Sequence, residues 1–208
     1  MASSPSEPRS SNQTLLLGPE KLNASFSESL DRHRAVFAEM TNYQGQVTEL
    51  AQRCMECLNQ GGKILWAGNG GSAADAQHLA AEFMVRYSAE RGPLASIALT
   101  TDSSILTAHS NDYDFATVFA RQVQGLATDK DVIIGLSTSG NSENVNAALR
   151  AGNELGAYTV ALTGRDGGQI KNIAQLAIVI GANETARIQE AHMFLGHWLC
   201  EAIDLAYS

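Results

Sequence analysis

A histidine and a glutamate stand four residues apart in the segment AGNGGSAADAQHLAAEF, which spans residues 67–83. In a helix this spacing puts His78 and Glu82 on the same face. An imidazole and a carboxylate placed in this way can bind one metal ion together, or one can orient the other for proton transfer. An isolated pair with this spacing is also common as a plain surface contact, so the pattern alone leaves both interpretations open.

Two loops of small polar residues precede predicted helices and are suited to binding an anion. The first is Gly-Asn-Gly-Gly-Ser at 68–72, in which we expect Ser72 to be the helix N-cap. The second is Ser-Thr-Ser-Gly-Asn-Ser at 137–142. Hydroxyls and free backbone N–H groups at a helix N-terminus bind phosphate without Lys or Arg. Turn chemistry could explain one such loop, whereas two at equivalent strand ends favour a phosphate site.

The first loop also fits the permissive dinucleotide-binding pattern, with glycine at 68 and 70 and alanine at 73. That pattern requires an acidic residue about 20 positions further on, at the end of the second strand. The second predicted strand instead ends well beyond that distance, in Leu-Thr-Thr-Asp at 99–102. A dinucleotide site would leave His78, Glu82 and the serine-rich loop unexplained, so we consider it the weaker interpretation.

The elements that position these residues alternate between short apolar runs and helical patterns. Strands are predicted at 63–67, 96–99, 131–136, 158–162 and 175–180. Helices are predicted at 20–40, 47–58, 72–87, 103–126 with a break near 110–112, 141–155, 168–174 and 185–206. This alternation predicts an α/β fold with a doubly wound five-stranded parallel sheet, and the ligand site should lie beyond the carboxyl ends of its strands.

Three of these helices invite more than one interpretation. The two helices before the first strand could contact another subunit or could simply cap one edge of the sheet. In the last helix His192 and His197 stand among apolar residues, and the pattern alone predicts a core or interface position for both. The cysteines Cys54 and Cys57 have the spacing of a redox motif, but they lie within a helical pattern without a second such pair, which favours a passive role.

The composition excludes several classes of partner. The net charge is −8, from 22 acidic and 14 basic residues, so we expect no electrostatic binding to nucleic acid or to anionic lipid. No apolar run approaches the roughly 18 residues of a membrane span. Three cysteines suit a reducing compartment, which predicts a cytoplasmic protein. Residues 1–18 lack the basic opening of a signal peptide, and we predict a disordered tail there followed by a single domain over 19–208.

Five segments together resemble the phosphoheptose isomerase family of the sugar-isomerase (SIS) domain proteins. They are AGNGGSAADAQHLAAEF, LTTDSSILTAHSNDY, GLSTSGNSENV, ALTGRDGG and ARIQEAHMFLGH, and the similarity covers most of the chain from about residue 20. The resemblance implies a flavodoxin-like SIS fold and the isomerisation of sedoheptulose 7-phosphate. It also implies one Zn²⁺ per subunit and a homotetramer whose active sites lie between subunits.

The resemblance further implies a role for individual positions. The acid–base pair falls on Glu82 and His197. The metal ligands fall on His78, Glu82, Gln189 and His197. The predicted substrate-binding set is Asn69, Gly70, Gly71, Ser72, Glu82, Asn111, Asp112, Ser137, Thr138, Ser139, Ser142 and Gln189.

One departure and one alternative accompany this resemblance. Ala186 stands where some members carry Asp, which would alter contacts near the sugar but leaves the predicted ligands intact. Some SIS-domain proteins are non-catalytic regulators that bind the replication initiator and share much of this pattern. They lack the acidic residue at the position of Glu82 and the histidine at the position of His197, and this chain has both.

Overall fold

The structure, a computed structural model, describes residues 16–208. The tail predicted over residues 1–18 therefore lies almost entirely outside the described residues. The strands are β1 (Ile64–Gly68), β2 (Ser96–Ala98), β3 (Val132–Ser137), β4 (Tyr158–Gly164) and β5 (Leu176–Ile180). The α-helices are α1 (Pro19–Ala38), α2 (Gln44–Asn59), α3 (Gly71–Met84), α4 (Ser103–Asp112), α5 (Val118–Leu126), α6 (Glu143–Glu154) and α7 (Thr185–Tyr207).

The five strands form one parallel sheet in the order β2-β1-β3-β4-β5. This is the flavodoxin-like order, in which the connections turn to opposite sides at β1 and β3. Strand β3 shows why the sequence specifies the sheet, because all six residues of its Val-Ile-Ile-Gly-Leu-Ser run are buried. A strand covered on both faces needs apolar side chains throughout, and this produces the continuous apolar runs of the sequence.

Helices cover both faces of the sheet and divide the core into two layers. Helices α2, α3 and α7 pack on one face, where Trp66 meets Phe83 edge to face with ring centroids 5.9 Å apart. Helices α5 and α6 pack on the other face, where Leu149 and Ile133 are fully buried. The prediction of a doubly wound sheet is confirmed, and the two layers hold the helices that carry the site residues.

The two helices before β1 differ in how they contribute. Helix α2 buries five residues and packs against α7, and Gln46 Nε2 donates to the carbonyl of Ala177 in β5 at 2.8 Å. It therefore covers the sheet, as the simpler interpretation predicts. Helix α1 has no buried residue, and its Leu22 and Phe26 side chains are exposed.

Three details of the sequence prediction are wrong. The segment 168–174 forms only a 3₁₀ turn at Ile170–Asn172, because Gly167 and Gly168 just before it adopt φ of 90° and 56°, which a helix cannot continue. Helix α3 ends at Met84 rather than at residue 87. Ser72 is not the N-cap of α3, since that position belongs to Gly70 and Ser72 lies buried in the first turn.

Within the part of the chain that the structure describes, every helix is too short or too polar to span a bilayer. The break predicted near 110–112 is confirmed, since α4 ends at Asp112 and α5 begins only at Val118.

Candidate active site at the carboxyl edge of the sheet

The two predicted anion-binding loops leave the sheet side by side. Gly68 ends β1 and pairs with Leu136, and Ser137 ends the neighbouring strand β3. In sheets of this type ligands bind where adjacent connections diverge, just beyond the carboxyl ends of the strands. The glycine loop and the serine loop therefore flank the position at which this fold class binds ligands.

The glycine loop turns sharply into α3. Gly70 adopts φ 55° and ψ −120°, a conformation that disfavours residues with a side chain, and the helix begins at the next residue. Asn69 and Asn144 exchange two side-chain hydrogen bonds, each of 2.8 Å, so the loop is tied to the first turn of α6. Sequence reasoning missed Asn144, although it lies only two residues after the serine-rich segment.

The serine loop is organised by its own hydroxyl groups. Ser137 Oγ donates to Ser142 Oγ at 3.0 Å and accepts from the backbone N–H of Gly140 at 3.1 Å. Ser139 Oγ accepts from the backbone N–H of Asn141 at 3.2 Å, and the side chains of Thr138 and Ser139 are half-buried. Helix α6 begins directly afterwards, and its N-cap residue Ser142 makes no side-chain cap bond to the first turn. Its free N–H groups and these hydroxyls are suited to an anion.

His78 and His197 come together although they lie on different helices. Their Nε2 atoms are 2.9 Å apart, and His78 Nε2 lies 3.5 Å from Glu82 Oε1. The ring of Tyr87 lies beside that of His197, with centroids 5.7 Å apart. The side chains of His78 and Glu82 are 45% and 21% exposed, so a small molecule can reach both.

Gln189 lies nearer the start of α3 than His197 does. Its Nε2 atom donates to Asp75 Oδ1 at 3.1 Å, and a Cβ atom added to Gly71 would be 2.5 Å from the Gln189 amide atoms. Burial raises the pKa of Asp75, and this effect exceeds the lowering by the hydrogen bond from Gln189 and by nearby His78. Asp75 was missed from the sequence, although it precedes His78 by three residues and so shares its helix face.

The contacts of Gln189 and His197 establish how α3 and α7 are arranged. Gln189 contacts Asp75 and the later residue His197 contacts the later residue His78, so the two helices run parallel. Eight residues of straight helix separate Gln189 and His197 by about 12 Å along the axis. Gln189 and His197 therefore contact successive turns of α3, at Asp75 and at His78.

Asn111 and Asp112 lie apart from the residues above. They end α4, both are exposed, and Asn111 Nδ2 donates to Asp112 Oδ1 at 2.8 Å. Among residues 16–208 no hydrogen bond joins the Asn111 or Asp112 side chain to a predicted site residue outside this pair. Their predicted part in substrate binding stays a prediction.

The donor set at His78, Glu82 and His197 suits zinc chemically but is not pre-arranged for it. No group of three or more His, Cys, Asp or Glu side chains within 16–208 has the arrangement of a metal site. Zinc–nitrogen bonds of about 2.0–2.1 Å in a tetrahedron would hold two ligand nitrogens about 3.3 Å apart. The two Nε2 atoms lie at 2.9 Å, a hydrogen-bond distance, so a small separation of the rings would let them share an ion.

The other singled-out residues are buried in the core. His192 is fully buried and its Nε2 lies 3.1 Å from the carbonyl oxygen of Thr163, as the core interpretation predicts. Cys54, Cys57 and Cys200 are buried and free of disulfides. Burial raises the pKa of the Cys57 thiol to about 11 and that of Cys200 to about 12. These thiols take no part in the site.

Comparison with known proteins first defines the class. The SIS domain family matches residues 29–164, so the chain is a SIS-domain protein in the sugar-isomerase class of α/β folds. The comparison with individual relatives is more specific. The phosphoheptose isomerase of Aquifex aeolicus is 50% identical over 185 residues, which cover 89% of this chain and 95% of that protein. The phosphoheptose isomerase of Solidesulfovibrio magneticus is 52% identical over 184 residues, 88% of this chain and 89% of that protein.

Solved structures agree with this similarity. A phosphoheptose isomerase from Neisseria gonorrhoeae has a TM-score of 0.81 at 43% identity, covering 89% of this chain and 98% of that chain. Another from Francisella tularensis has a TM-score of 0.83 at 34% identity, covering 91% and 100% respectively. The chain belongs to the phosphoheptose isomerase family.

Proposed function

We propose that this protein is an aldose–ketose isomerase that converts sedoheptulose 7-phosphate into D-glycero-D-manno-heptose 7-phosphate. The observation that carries the proposal is that the glycine and serine loops leave the sheet side by side, and that α3, which follows the glycine loop, carries His78 and Glu82 next to His197. Membership of the phosphoheptose isomerase family supports it independently. The relatives give no support to the alternative of a non-catalytic regulator that binds the replication initiator.

The reaction moves one proton from C1 to C2 and, on the oxygens, one proton from the C1 hydroxyl to the C2 carbonyl oxygen. The open-chain ketose loses a proton from C1, forms a cis-enediol and regains a proton at C2. We assign Glu82 as the base beside these carbons and His197 as its acid–base partner, because the two residues flank His78 at one accessible surface. A positioned proton-transfer group typically contributes about 10²–10⁴-fold to the rate.

The phosphate end of the substrate undergoes no bond change and serves as an anchor. We assign Ser137, Ser139 and Ser142 to hold it together with the first N–H groups of α6. Thr138 lies in the same turn, and the open backbone of the glycine loop lets the sugar chain pass close to the sheet edge. Fixing one end of the substrate limits where C1 and C2 can lie, which is how binding energy contributes to rate.

The zinc ion that the family resemblance implies belongs to the proposal. His78, Glu82, Gln189 and His197 are the residues that would hold one ion per subunit, and it would supply positive charge to stabilise a developing oxyanion. The ion would have to draw His78 and His197 slightly apart from their present contact. Gln189 would have to reach it from its place beside Asp75.

The assembly is proposed to be a homotetramer with active sites between subunits. Two observations support this: α1 buries none of its residues within the chain, and its apolar Leu22 and Phe26 side chains are exposed. Asn111 and Asp112 are exposed at the end of α4, where they could complete a neighbouring subunit's site. Light scattering after size-exclusion chromatography measures the assembly directly, and a monomer would contradict the proposal.

We place the protein in the cytoplasm, at the first step of nucleotide-activated heptose synthesis for surface glycans such as lipopolysaccharide. The three free, buried thiols suit a reducing compartment.

One assay tests the function. Purified protein is incubated with sedoheptulose 7-phosphate before and after treatment with a chelator, and again after zinc is restored. We expect turnover that the chelator abolishes and zinc recovers. Absence of turnover with zinc present would favour the regulator. Turnover that the chelator leaves unchanged would refute the metal assignment alone.

A further inference from the structure

A buried ion pair lies directly behind the face that carries Glu82. Arg91 Nε donates to Asp204 Oδ1 at 2.7 Å, and the two side chains are only 1% and 3% exposed. Of the ion pairs within residues 16–208, this is the one in which both side chains are almost wholly excluded from water. A buried charge pair is costly to desolvate, so its presence here calls for a specific role.

The Arg91 guanidinium completes the carboxyl end of α3. Its Nη2 atom donates to the backbone carbonyl of Glu82 at 2.8 Å, and its Nη1 atom donates to that of Phe83 at 2.9 Å. Helix α3 ends without a glycine cap, since its C-cap residue is Val85. The last carbonyls of a helix lack partners within the helix, and a positive charge near them also interacts favourably with the helix dipole. Arg91 therefore holds the very peptide group to which the Glu82 side chain is attached.

Asp204 connects this arrangement to α7. Its Oδ2 atom accepts the backbone N–H groups of Ser88 and Ala89 at 2.8 and 2.9 Å, so the segment after α3 is fixed as well. Burial raises the pKa of Asp204, but these hydrogen bonds and Arg91 outweigh it and hold the pKa below its ordinary value. The same helix carries His197, so the pair joins the two helices that supply the reacting end of the site.

We propose that Arg91 and Asp204 are positioning residues for the isomerase reaction, which hold Glu82 at a fixed distance from His197 by clamping the end of α3 to α7. The proposal rests on the proposed function of Glu82 as the base. Arg91 spans four acceptors in fixed directions, the Asp204 carboxylate and the carbonyls of residues 82, 83 and 92, and a lysine ammonium cannot reproduce that planar arrangement. A displacement of about 1 Å at a reacting group can lower the rate by about 10²-fold.

The test compares Arg91→Lys with a matched control ion pair that is not bonded to α3 or α7. Lys63 Nζ donates to the buried Asp131 Oδ2 at 2.8 Å, and the other partners of that carboxylate are the backbone N–H of Lys63 and the N–H and hydroxyl of Thr128. Lys63→Gln therefore breaks a second ion pair with a fully buried carboxylate but removes no hydrogen bond from the end of α3. Both variants are assayed at temperatures well below their own melting temperatures, so that folded protein is compared.

We expect Arg91→Lys to lower kcat by about 10- to 100-fold with KM within about threefold, because the phosphate anchor is untouched. Lys63→Gln should lower the melting temperature but keep kcat within about twofold of the wild type. A kcat for folded Arg91→Lys close to the wild-type value would overturn the proposal, as would an equal loss in Lys63→Gln. Should Arg91→Lys fail to fold, Asp204→Asn, which keeps the size of the side chain, is measured in the same way.

A second readout does not depend on turnover. Hydrogen exchange of a peptide covering residues 79–85 should become faster in Arg91→Lys and stay unchanged in Lys63→Gln. Unaltered exchange at this end of α3 would overturn the proposal even if activity fell. A wild-type protein without turnover would refute the proposed function instead, and the exchange measurement would still decide whether Arg91 holds the end of α3.

Discussion

His78 Nε2 lies 2.9 Å from His197 Nε2, although 119 positions separate the two residues in the chain. The contact is possible because α3 and α7 run parallel on the same face of the sheet, joined again at Asp75–Gln189 and at Arg91–Asp204. Each helix follows a strand and therefore starts at the carboxyl edge, beside the two loops. The reacting groups thus depend on the spacing of two helices rather than on one loop.

Glu82→Gln tests the proposed base. The amide has nearly the same shape but cannot accept the C1 proton. We expect kcat to fall by about 10²–10⁴-fold, and in any case to below a tenth of the wild-type value. The melting temperature should hardly change, because the Glu82 side chain is partly exposed. Glu90→Gln is the control, since the Glu90 side chain is 91% exposed and its loss should leave kcat unchanged. Activity above a tenth in Glu82→Gln would contradict the assignment.

Ser139→Ala tests the phosphate anchor. Removing one hydroxyl from the loop should raise KM for sedoheptulose 7-phosphate several-fold and leave kcat nearly unchanged, because anchoring acts on the ground state and the transition state alike. Sedoheptulose without the phosphate serves as the matched substrate, and for it the variant and the wild type should behave equally. An unchanged KM for the phosphorylated sugar would exclude this hydroxyl from the anchor.

Gly71→Ala tests whether the position of Gln189 matters. The new methyl group would lie 2.5 Å from the Gln189 amide, which can move because it ends a flexible side chain. We expect an intact fold with kcat/KM lowered by about 10-fold or more. Gly45→Ala in α2 is the control, since no atom lies within 4 Å of its added methyl group. Full activity in Gly71→Ala would show that Gln189 need not stay beside Asp75.

His192 predicts a pH dependence of stability that is separate from catalysis. Burial lowers the pKa of His192 from 6.5 to about 4, although the hydrogen bond to Thr163 acts in the opposite direction. Between these two pH values His192 is protonated in the unfolded chain but not in the folded one. The free energy of unfolding therefore falls as the pH drops from 6.5 toward 4. The loss amounts to roughly 3 kcal/mol at most.

Urea unfolding at several pH values between 7 and 4.5 measures this effect. His192→Leu should unfold at lower urea overall, because the Thr163 carbonyl loses its partner, but its stability should depend less on pH over this range. An equal slope for the variant and the wild type would show that other groups cause the pH dependence.

The sheet was predictable from the sequence because its strands are buried on both faces. Each predicted strand matches the observed one to within two residues at either end, as comparison of 158–162 with Tyr158–Gly164 shows. The Ser-Asn-Asp segment at 110–112 correctly predicted the end of α4. Both features depend on local composition, which a single sequence contains.

Contacts between distant residues were not predictable in the same way. Asp75 and Gln189 are 114 positions apart, and Arg91 and Asp204 are 113 positions apart. Nothing in the periodicity of α3 or α7 indicates that these helices are neighbours, so the ion pair and the orientation of Gln189 were missed. The predicted end of α3 at residue 87 was wrong for the same reason. The group that binds its last carbonyls is the guanidinium of Arg91, which belongs to a later segment.

Cys54, Cys57 and Cys200 are buried in the folded protein, so their reaction with a thiol reagent reports unfolding. Alkylating reagents react with the thiolate. Burial raises the pKa of Cys57 and Cys200, so the folded protein contains almost no thiolate at these positions. Labelling with iodoacetamide would therefore count molecules that have opened and would report losses of folded protein in each variant described above.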